Sequence, residues 1–251
     1  MEGLTPSLGP PAGWPWALGV PLVMGLAGWG LRVVRRSAFF AGVPLGILVM
    51  RLGGLAGFAV LFAFFLLGTL LTRLGYAVKE AQGVAEAMGG RRGASHVAAN
   101  CGAGLLLLVI RDIAVRLGAS PAGEAVLWAA FAGSFAAAAS DTSSSEIGQL
   151  LGRHPVSPRT LRPVPVGTEG AVSVEGLLAG LAAAILIGGL AYALRLVDGP
   201  GWVAVALAGF LGNVLESLTG AWGRRALPHG WLNFANTAVG AALAAAGAAL
   251  F

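Results

Sequence analysis

From Trp14 onward the chain is a series of apolar runs, each about long enough to cross a bilayer, with the charged residues mostly between them. An α-helix crosses the hydrocarbon core in about 20 residues. Eight candidate spans can be marked. They are Trp14 to Leu31, two tight spans within Ser37 to Leu71 broken at Arg51-Leu52-Gly53-Gly54, Val97 to Ile110, Glu124 to Ala139, Val172 to Leu194, Gly201 to Trp222, and Trp231 to Phe251. Composition closes the other routes. Of 251 residues, 57% are hydrophobic and 11% charged, and a soluble chain of this length cannot bury so much apolar surface. A soluble enzyme, a disordered chain and a nucleic-acid-binding domain are excluded. The expected fold is all-α, a polytopic transmembrane bundle of seven to nine spans forming a single integral-membrane domain over residues 1–251. Residues 1–13 are expected to be a flexible N-terminus. They lack the basic start of a cleavable signal and are expected to be retained.

The net charge of +5 is read as topology. With eight spans, alternate loops share a side. One set holds Arg32, Arg35, Arg36, Arg73, Lys79, Arg91, Arg92, Arg153, Arg159, Arg162, Arg224 and Arg225; the other holds Arg51, Arg111, Arg116 and Arg195. Cytoplasmic loops carry the Lys/Arg excess, so both termini are expected outside. Stretches 73–96 and 140–171 then become cytoplasmic site-forming loops. The single cysteine, Cys101, lies in an apolar stretch and is expected to be a small buried residue. Small-residue stripes in the last span would pack helices within one chain or between copies in a homo-oligomer.

Polar residues are expensive inside membrane helices and are usually functional. Here they gather near the basic ends of four spans. The fifth span runs into Ser140-Asp141-Thr142-Ser143-Ser144-Ser145-Glu146-Ile147-Gly148-Gln149. If helix continues, Asp141 and Ser145 share a face and Glu146 points elsewhere. Two carboxylates among hydroxyls are hard oxygen ligands of the kind Mg²⁺ prefers; a polar helix end reaching lipid headgroups is the plainer alternative. The segment Arg159 to Gly170 follows. Glycines and Thr168 before a helix N-terminus make an anion site, to which Arg159 and Arg162 would add charge-assisted bonds. A Pro/Gly turn anchored to anionic lipid would look the same.

Asn213, Glu216, Ser217 and Gly220 fall on one face of the seventh span. By helical rise Glu216 lies about 9 Å inside Trp222, where a carboxylate requires a cation, a proton or a metal, or an interhelical hydrogen bond. Asn233, Asn236, Thr237 and Gly240 repeat this face in the last span, where asparagines also serve as interhelical glue. Arg92, His96 and Asn100 follow one another at i, i+4, i+8. No second histidine sits at ligand spacing, and there is no P-loop, nucleophile elbow or His-Glu-x-x-His motif.

Ser140-Asp141-Thr142-Ser143-Ser144-Ser145-Glu146-Ile147-Gly148 resembles the Ala-Asp-Thr-x-Ala-Ser-Glu-Ile-Gly signature of an integral-membrane family, domain of unknown function 92. That family includes animal transmembrane protein 19 and plant phytyl-phosphate kinases. The resemblance continues through Pro165 to Ser173, the Leu71-Thr72-Arg73-Leu74-Gly75 stretch with Lys79, Arg92 to Asn100, Gly212 to Ala221, and Leu232-Asn233-Phe234. It covers roughly Arg36 to the C-terminus, in order. Glu216 stands where the family usually has Asp, Ser95-His96 replace its Gln region, and Ala171 replaces a Gly. A looser similarity to phytol kinases, dolichol kinases and phosphatidate cytidylyltransferases places Asp141, Thr168-Glu169-Gly170, Glu216-Ser217 and Asn236 in the same order, without the lysine of the second motif.

The resemblance implies a kinase that turns an isoprenyl monophosphate such as phytyl phosphate into a diphosphate, using Mg²⁺ and CTP or another NTP. It implies Asp141, Glu146 and Glu216 as catalytic and metal-binding carboxylates. Lys79, Arg92, Arg159 and Arg162 would hold phosphates, and Gly167, Thr168, Gly170 and Ser173 would cradle them. Asn100, Asn213, Ser217, Asn233 and Asn236 would complete the hydrogen bonding. The implied partners are an isoprenoid lipid monophosphate and membrane lipids, with no nucleic acid, in a prokaryotic inner (plasma) membrane. A CTP-dependent polyprenol kinase or lipid cytidylyltransferase is the nearest alternative; a transporter or non-catalytic membrane protein is the other.

Overall fold

A computed structural model describes residues 13–222 and 229–250. The flexible N-terminus expected over 1–13, except Gly13, and the basic pair Arg224 and Arg225 lie outside the described residues. Helix α1 is Trp14–Gly30, and Pro15 supports its start at a position where no N–H is needed. Helix α2, Arg36–Arg73, is two helical arms joined at Gly54, whose φ of 63° is closed to most L side chains. The break folds the helix back on itself. Gly46 and Phe58 would stand far apart on a straight helix, yet a Cβ on Gly46 would lie 3.3 Å from the Phe58 ring. The far end, Arg73, donates to the carbonyls of Leu31 (3.4 Å) and Arg32 (3.1 Å), beside the start of the same helix. The break expected at Arg51–Gly54 is therefore the tip of a hairpin whose arms are 36–53 and 55–73.

A short helix α3 (Tyr76–Ala81) and a 3₁₀ turn (Met88–Gly90) lead to α4, Ala94–Arg116. Helix α5, Pro121–Leu151, is the axis of the molecule. At 1.5 Å per residue it is about 46 Å long, more than the ~30 Å hydrocarbon core. Residues 140–151 are thus helix, not loop, because Ser140 to Gln149 contains no glycine pair or proline to stop the turn begun by the alanines before it. The first half of α5 is filled by Trp128, Phe131 and Phe135, each at most 1% exposed; neighbouring ring centroids are 5.6 and 5.1 Å apart, and the Phe64 ring of α2 lies tilted against Phe135 at 5.9 Å. Then come Ala136 to Ala139, where small size lets neighbouring backbones approach.

Around α5 stand α6 (Val174–Ala193), α7 (Gly199–Gly220) and α8 (His229–Ala248). The contact with α8 is backbone to backbone: a Cβ on Gly133 would meet Ala244 and, at 2.7 Å, the carbonyl of Gly240. Part of the small-residue stripe of the last span is therefore used within the chain. Segment 152–173 is an irregular loop. Val156 exchanges 2.9 Å hydrogen bonds with Val172, and the four prolines of 155–165 keep it from being helical. Among the described residues there are isolated bridges only. Among the described residues five helices, α2, α4, α5, α6 and α7, are long and apolar enough to cross a membrane. Cys101 is buried and free.

The candidate site at one end of the bundle

The loops rich in arginine meet at the end of the bundle formed by both ends of α2 and the end of α5. Gly75, in the left-handed region at φ 61°, turns the chain sharply into α3 and brings Lys79 back under α2. Lys79 is fully buried. Its Nζ donates to the carbonyls of Leu71 and Thr72, both at 3.0 Å, and to Glu146 Oε2 at 2.5 Å. Thr72 Oγ1 donates to Glu146 Oε1 at 2.6 Å. All three ammonium donors and both carboxylate oxygens are engaged. The cation also sits on the last carbonyls of a helix, where positive charge is favoured. This unit staples α3, α2 and α5 together.

One face of α5, Ala137, Ser140, Asp141 and Ser144, looks at α6, α7 and α8. The Asp141 and Glu216 carboxyls share a hydrogen bond. Two carboxyls in contact need a proton or a cation between them. Around them, buried oxygens lack partners: Glu216 Oε2, Ser140 Oγ and Asn236 Oδ1. The other atoms of the same residues are held. Asn236 Nδ2 donates to the carbonyl of Ala137 (3.3 Å), and Asn213 Nδ2 to Ser144 Oγ (2.7 Å), which donates to the carbonyl of Gly176 (2.9 Å). Gly180 of α6 lies flush on this set; a Cβ there would collide with Ser144 and come within 2.9 Å of Asn213 and Ser140.

The three carboxylates expected to act together separate into two places. Glu146 is five residues beyond Asp141, a different face of the helix, and belongs to Lys79 and Thr72. Among the described residues no group of three His, Cys, Asp or Glu side chains is placed to hold a metal ion. What remains is a two-carboxylate site with hydroxyl and amide oxygens, a hard-oxygen donor set that fits Mg²⁺ shared with phosphate oxygens. Lys79, expected to hold phosphate, has protein partners for every proton.

Arg92 reaches inward from the loop before α4. Its guanidinium lies 5.5 Å from the centroid of the Phe64 ring and against Gly68, where a Cβ would leave it no room. Burial lowers its pKa from the ordinary guanidinium value, and the nearby charges of Glu146, Glu86 and Asp141 oppose that shift. His96 Nε2 is 3.2 Å from Glu86, and Asn100 donates back to the His96 carbonyl at 3.0 Å. Asn233 is half-buried.

The loop 152–173 closes the same end. Gly167 and Gly170 have φ of 81° and 70°, and Gly170 packs on the end of α7, where a Cβ would meet the Ser217 carbonyl at 2.5 Å. The glycine turn thus docks on α7, and it is Ser173, three residues later, that caps α6 by accepting from Gly176 N (3.1 Å). Thr168 donates to the Pro165 carbonyl at 2.8 Å; Arg159 and Arg162 are exposed. Thr72, Ser140, Ser143 and Ser144 had no assigned role in the sequence reading. Their signal was there, since each lies in a polar interruption of an otherwise apolar helix.

These features define an integral-membrane helical protein with a buried polar cluster at one end of its bundle. The chain belongs to the integral membrane protein DUF92 family, whose profile matches residues 19–229. It is 38% identical over 207 residues to an uncharacterized membrane protein of Synechocystis, covering 80% of this chain and 77% of that one. It is 36% identical over 222 residues to Protein VTE6, chloroplastic, of Arabidopsis thaliana, covering 88% of this chain and 66% of that one. An uncharacterized membrane protein of Methanocaldococcus jannaschii is 32% identical over 196 residues, 76% of this chain and 74% of its own. No solved structure matches.

Proposed function

We propose that the protein is a membrane-embedded kinase that transfers the terminal phosphoryl group of CTP, or another NTP, to an isoprenyl monophosphate such as phytyl phosphate. One observation carries the reading: a carboxyl pair, Asp141 and Glu216, beside unpartnered buried oxygens at the basic end of a membrane bundle. The family resemblance to plant phytyl-phosphate kinases and the alignment with the chloroplast relative support it. In the reaction an oxygen of the lipid phosphate attacks the terminal phosphorus. The new P–O bond forms as the bond to the departing nucleoside diphosphate breaks. The nucleophile is already anionic, so no strong base is needed, and catalysis is positioning and charge neutralisation.

Asp141 and Glu216 would hold Mg²⁺, which when bound neutralises charge on the phosphate oxygens. Asn213 and Ser144 keep the Asp141 face of α5 in register with α6 and α7. The Lys79–Glu146–Thr72 staple fixes the height of α5 against α2 and so positions Asp141. Arg92 meets the phosphates from inside; Arg159 and Arg162 meet them from the loop, with Gly167 to Gly170 against the end of α7. Asn100, Asn233, Asn236, Ser173 and Ser217 border the same end. The reading places this end at the cytoplasmic face of a prokaryotic inner membrane, where nucleotide is available.

The test is transfer of label from γ-labelled CTP or ATP, with Mg²⁺, to phytyl or geranylgeranyl monophosphate by protein in nanodiscs. Label in a prenyl diphosphate, lost in Asp141→Asn, is the expected result. Label in a monophosphate made from the free alcohol would favour a polyprenol kinase. No transfer, with no Mg²⁺-dependent nucleotide binding, would end the kinase reading and favour transport.

A further inference from the structure

Between α1, the two arms of α2 and α4 lies an open apolar cleft with about 130 Å³ of internal space. Met24, Phe39, Phe58, Leu61, Phe62 and Phe65 line it, and Arg92 and His96 stand in its wall as the polar groups. Glycine shapes part of it. Gly25 and Gly46 are close-packing positions, where a Cβ would meet Val43 and, at 3.1 Å, Pro21, but a Cβ on Gly42 would meet only Val97, at 3.9 Å.

The cleft is continuous with the candidate site in charge. Arg92 forms part of its wall and lies in the field of Asp141 and Glu146. A second, polar hollow walled by Arg32, Arg35, Arg36 and Arg91 adjoins it at Val34. An occupant that matches both has a long apolar chain and a compact, strongly anionic head. We propose that this cleft seats the isoprenoid chain of the phosphorylated lipid, with Arg92 at its phosphate end. The inference rests on the kinase reading for the identity of that lipid. It adds where the chain lies, and that chain length is selected by α1, α2 and α4 and not by the helices around Asp141. A chain held there leaves its phosphate beside Arg92, the residue that feels the charge of Asp141.

The experiment uses full-length protein in nanodiscs and geranylgeranyl monophosphate carrying a diazirine near the end of its chain. After photolysis, adducts are mapped by peptide mass spectrometry. Adducts are expected on α1, α2 and α4, removed by excess unlabelled geranylgeranyl monophosphate and not by phosphatidylglycerol. In a parallel assay, Gly42→Leu is expected to lower the ratio of turnover on the twenty-carbon over a five-carbon monophosphate by about tenfold or more, since single methylenes in apolar pockets reach that size. Adducts in the cleft without turnover on any nucleotide would keep the lipid seat and end the kinase reading. Turnover with adducts confined to α6, α7 or α8 would overturn the cleft and leave the kinase. Adducts displaced equally by phosphatidylglycerol would make the cleft a general lipid seat and overturn the proposal. Neither adducts nor turnover would overturn both.

Discussion

At one end of the bundle Arg111 and Glu124 form an ion pair over the ring of Trp128; at the other, Asp141 and Glu216 meet carboxyl to carboxyl. The first arrangement leaves only two N–H donors unpartnered, Arg111 Nε and Trp128 Nε1. Arg111 lies 4.5 Å from the centroid of the Trp128 ring, bonds to Glu124, and donates to the carbonyl of Leu52 (3.4 Å) next to the Gly54 turn. Its unpaired Nε faces an aromatic surface, where a cation is attracted without a hydrogen bond. The second arrangement is incomplete. Like groups are brought together, and the orphan atoms beside them are oxygens. Both ends bury charge, but only one leaves a site that attracts a cation. Buried charge alone therefore does not mark function here; the sign and chemistry of what remains unpartnered does.

The comparison can be broken most sharply through activity. Asp141→Asn and Glu216→Gln are each expected to lower turnover by about 100-fold or more, the size seen when one preorganised electrostatic contact is removed. Thermal unfolding should be nearly unchanged, since the new amide can donate to the remaining carboxylate. Loss of fold along with activity would make the pair structural, like Arg111–Glu124.

The Lys79–Glu146 staple should behave oppositely. Lys79→Met leaves a buried carboxylate with one partner gone and is expected to cost about 3–5 kcal/mol in reversible unfolding in detergent. Adding Glu146→Gln should recover much of this. A Lys79→Met protein that keeps its stability and loses only nucleotide affinity would return Lys79 to direct phosphate contact.

At the far end Glu124→Gln is expected to cost about 1–2 kcal/mol, less because the pair is partly exposed, with no change in the turnover of folded protein. Arg159→Ala should have the smallest effect. It would raise the nucleotide KM by about threefold at low salt, and the difference should shrink as ionic strength rises, as for an exposed charge.

Much of this was legible along the chain. Apolar length and charge placement marked the helices, and Gly53-Gly54 beside Arg51 marked the hairpin tip. The face shared by Asn213, Glu216, Ser217 and Gly220 followed from helical spacing. The pairing of Lys79 with Glu146, 67 residues away, did not, because periodicity reports which face a residue occupies and not which helix it meets. For the same reason the three carboxylates were grouped together, although the five-residue step from Asp141 to Glu146 already places them on different faces. The polar run of α5 was legible as polar and not as helix, since serines and Asp are weak helix formers that tertiary packing overrides. The cleft was invisible, because periodicity does not report which helix faces are left without a neighbour.

The most direct measurement of the central claim is Mn²⁺ binding by electron paramagnetic resonance, with the protein in nanodiscs and CTP present. Comparing wild type with Glu216→Gln reads the carboxyl pair without requiring turnover. The account predicts nucleotide-dependent Mn²⁺ binding in the wild type that is lost in the variant while the fold persists. Equal binding in both proteins, or none in either, would contradict it.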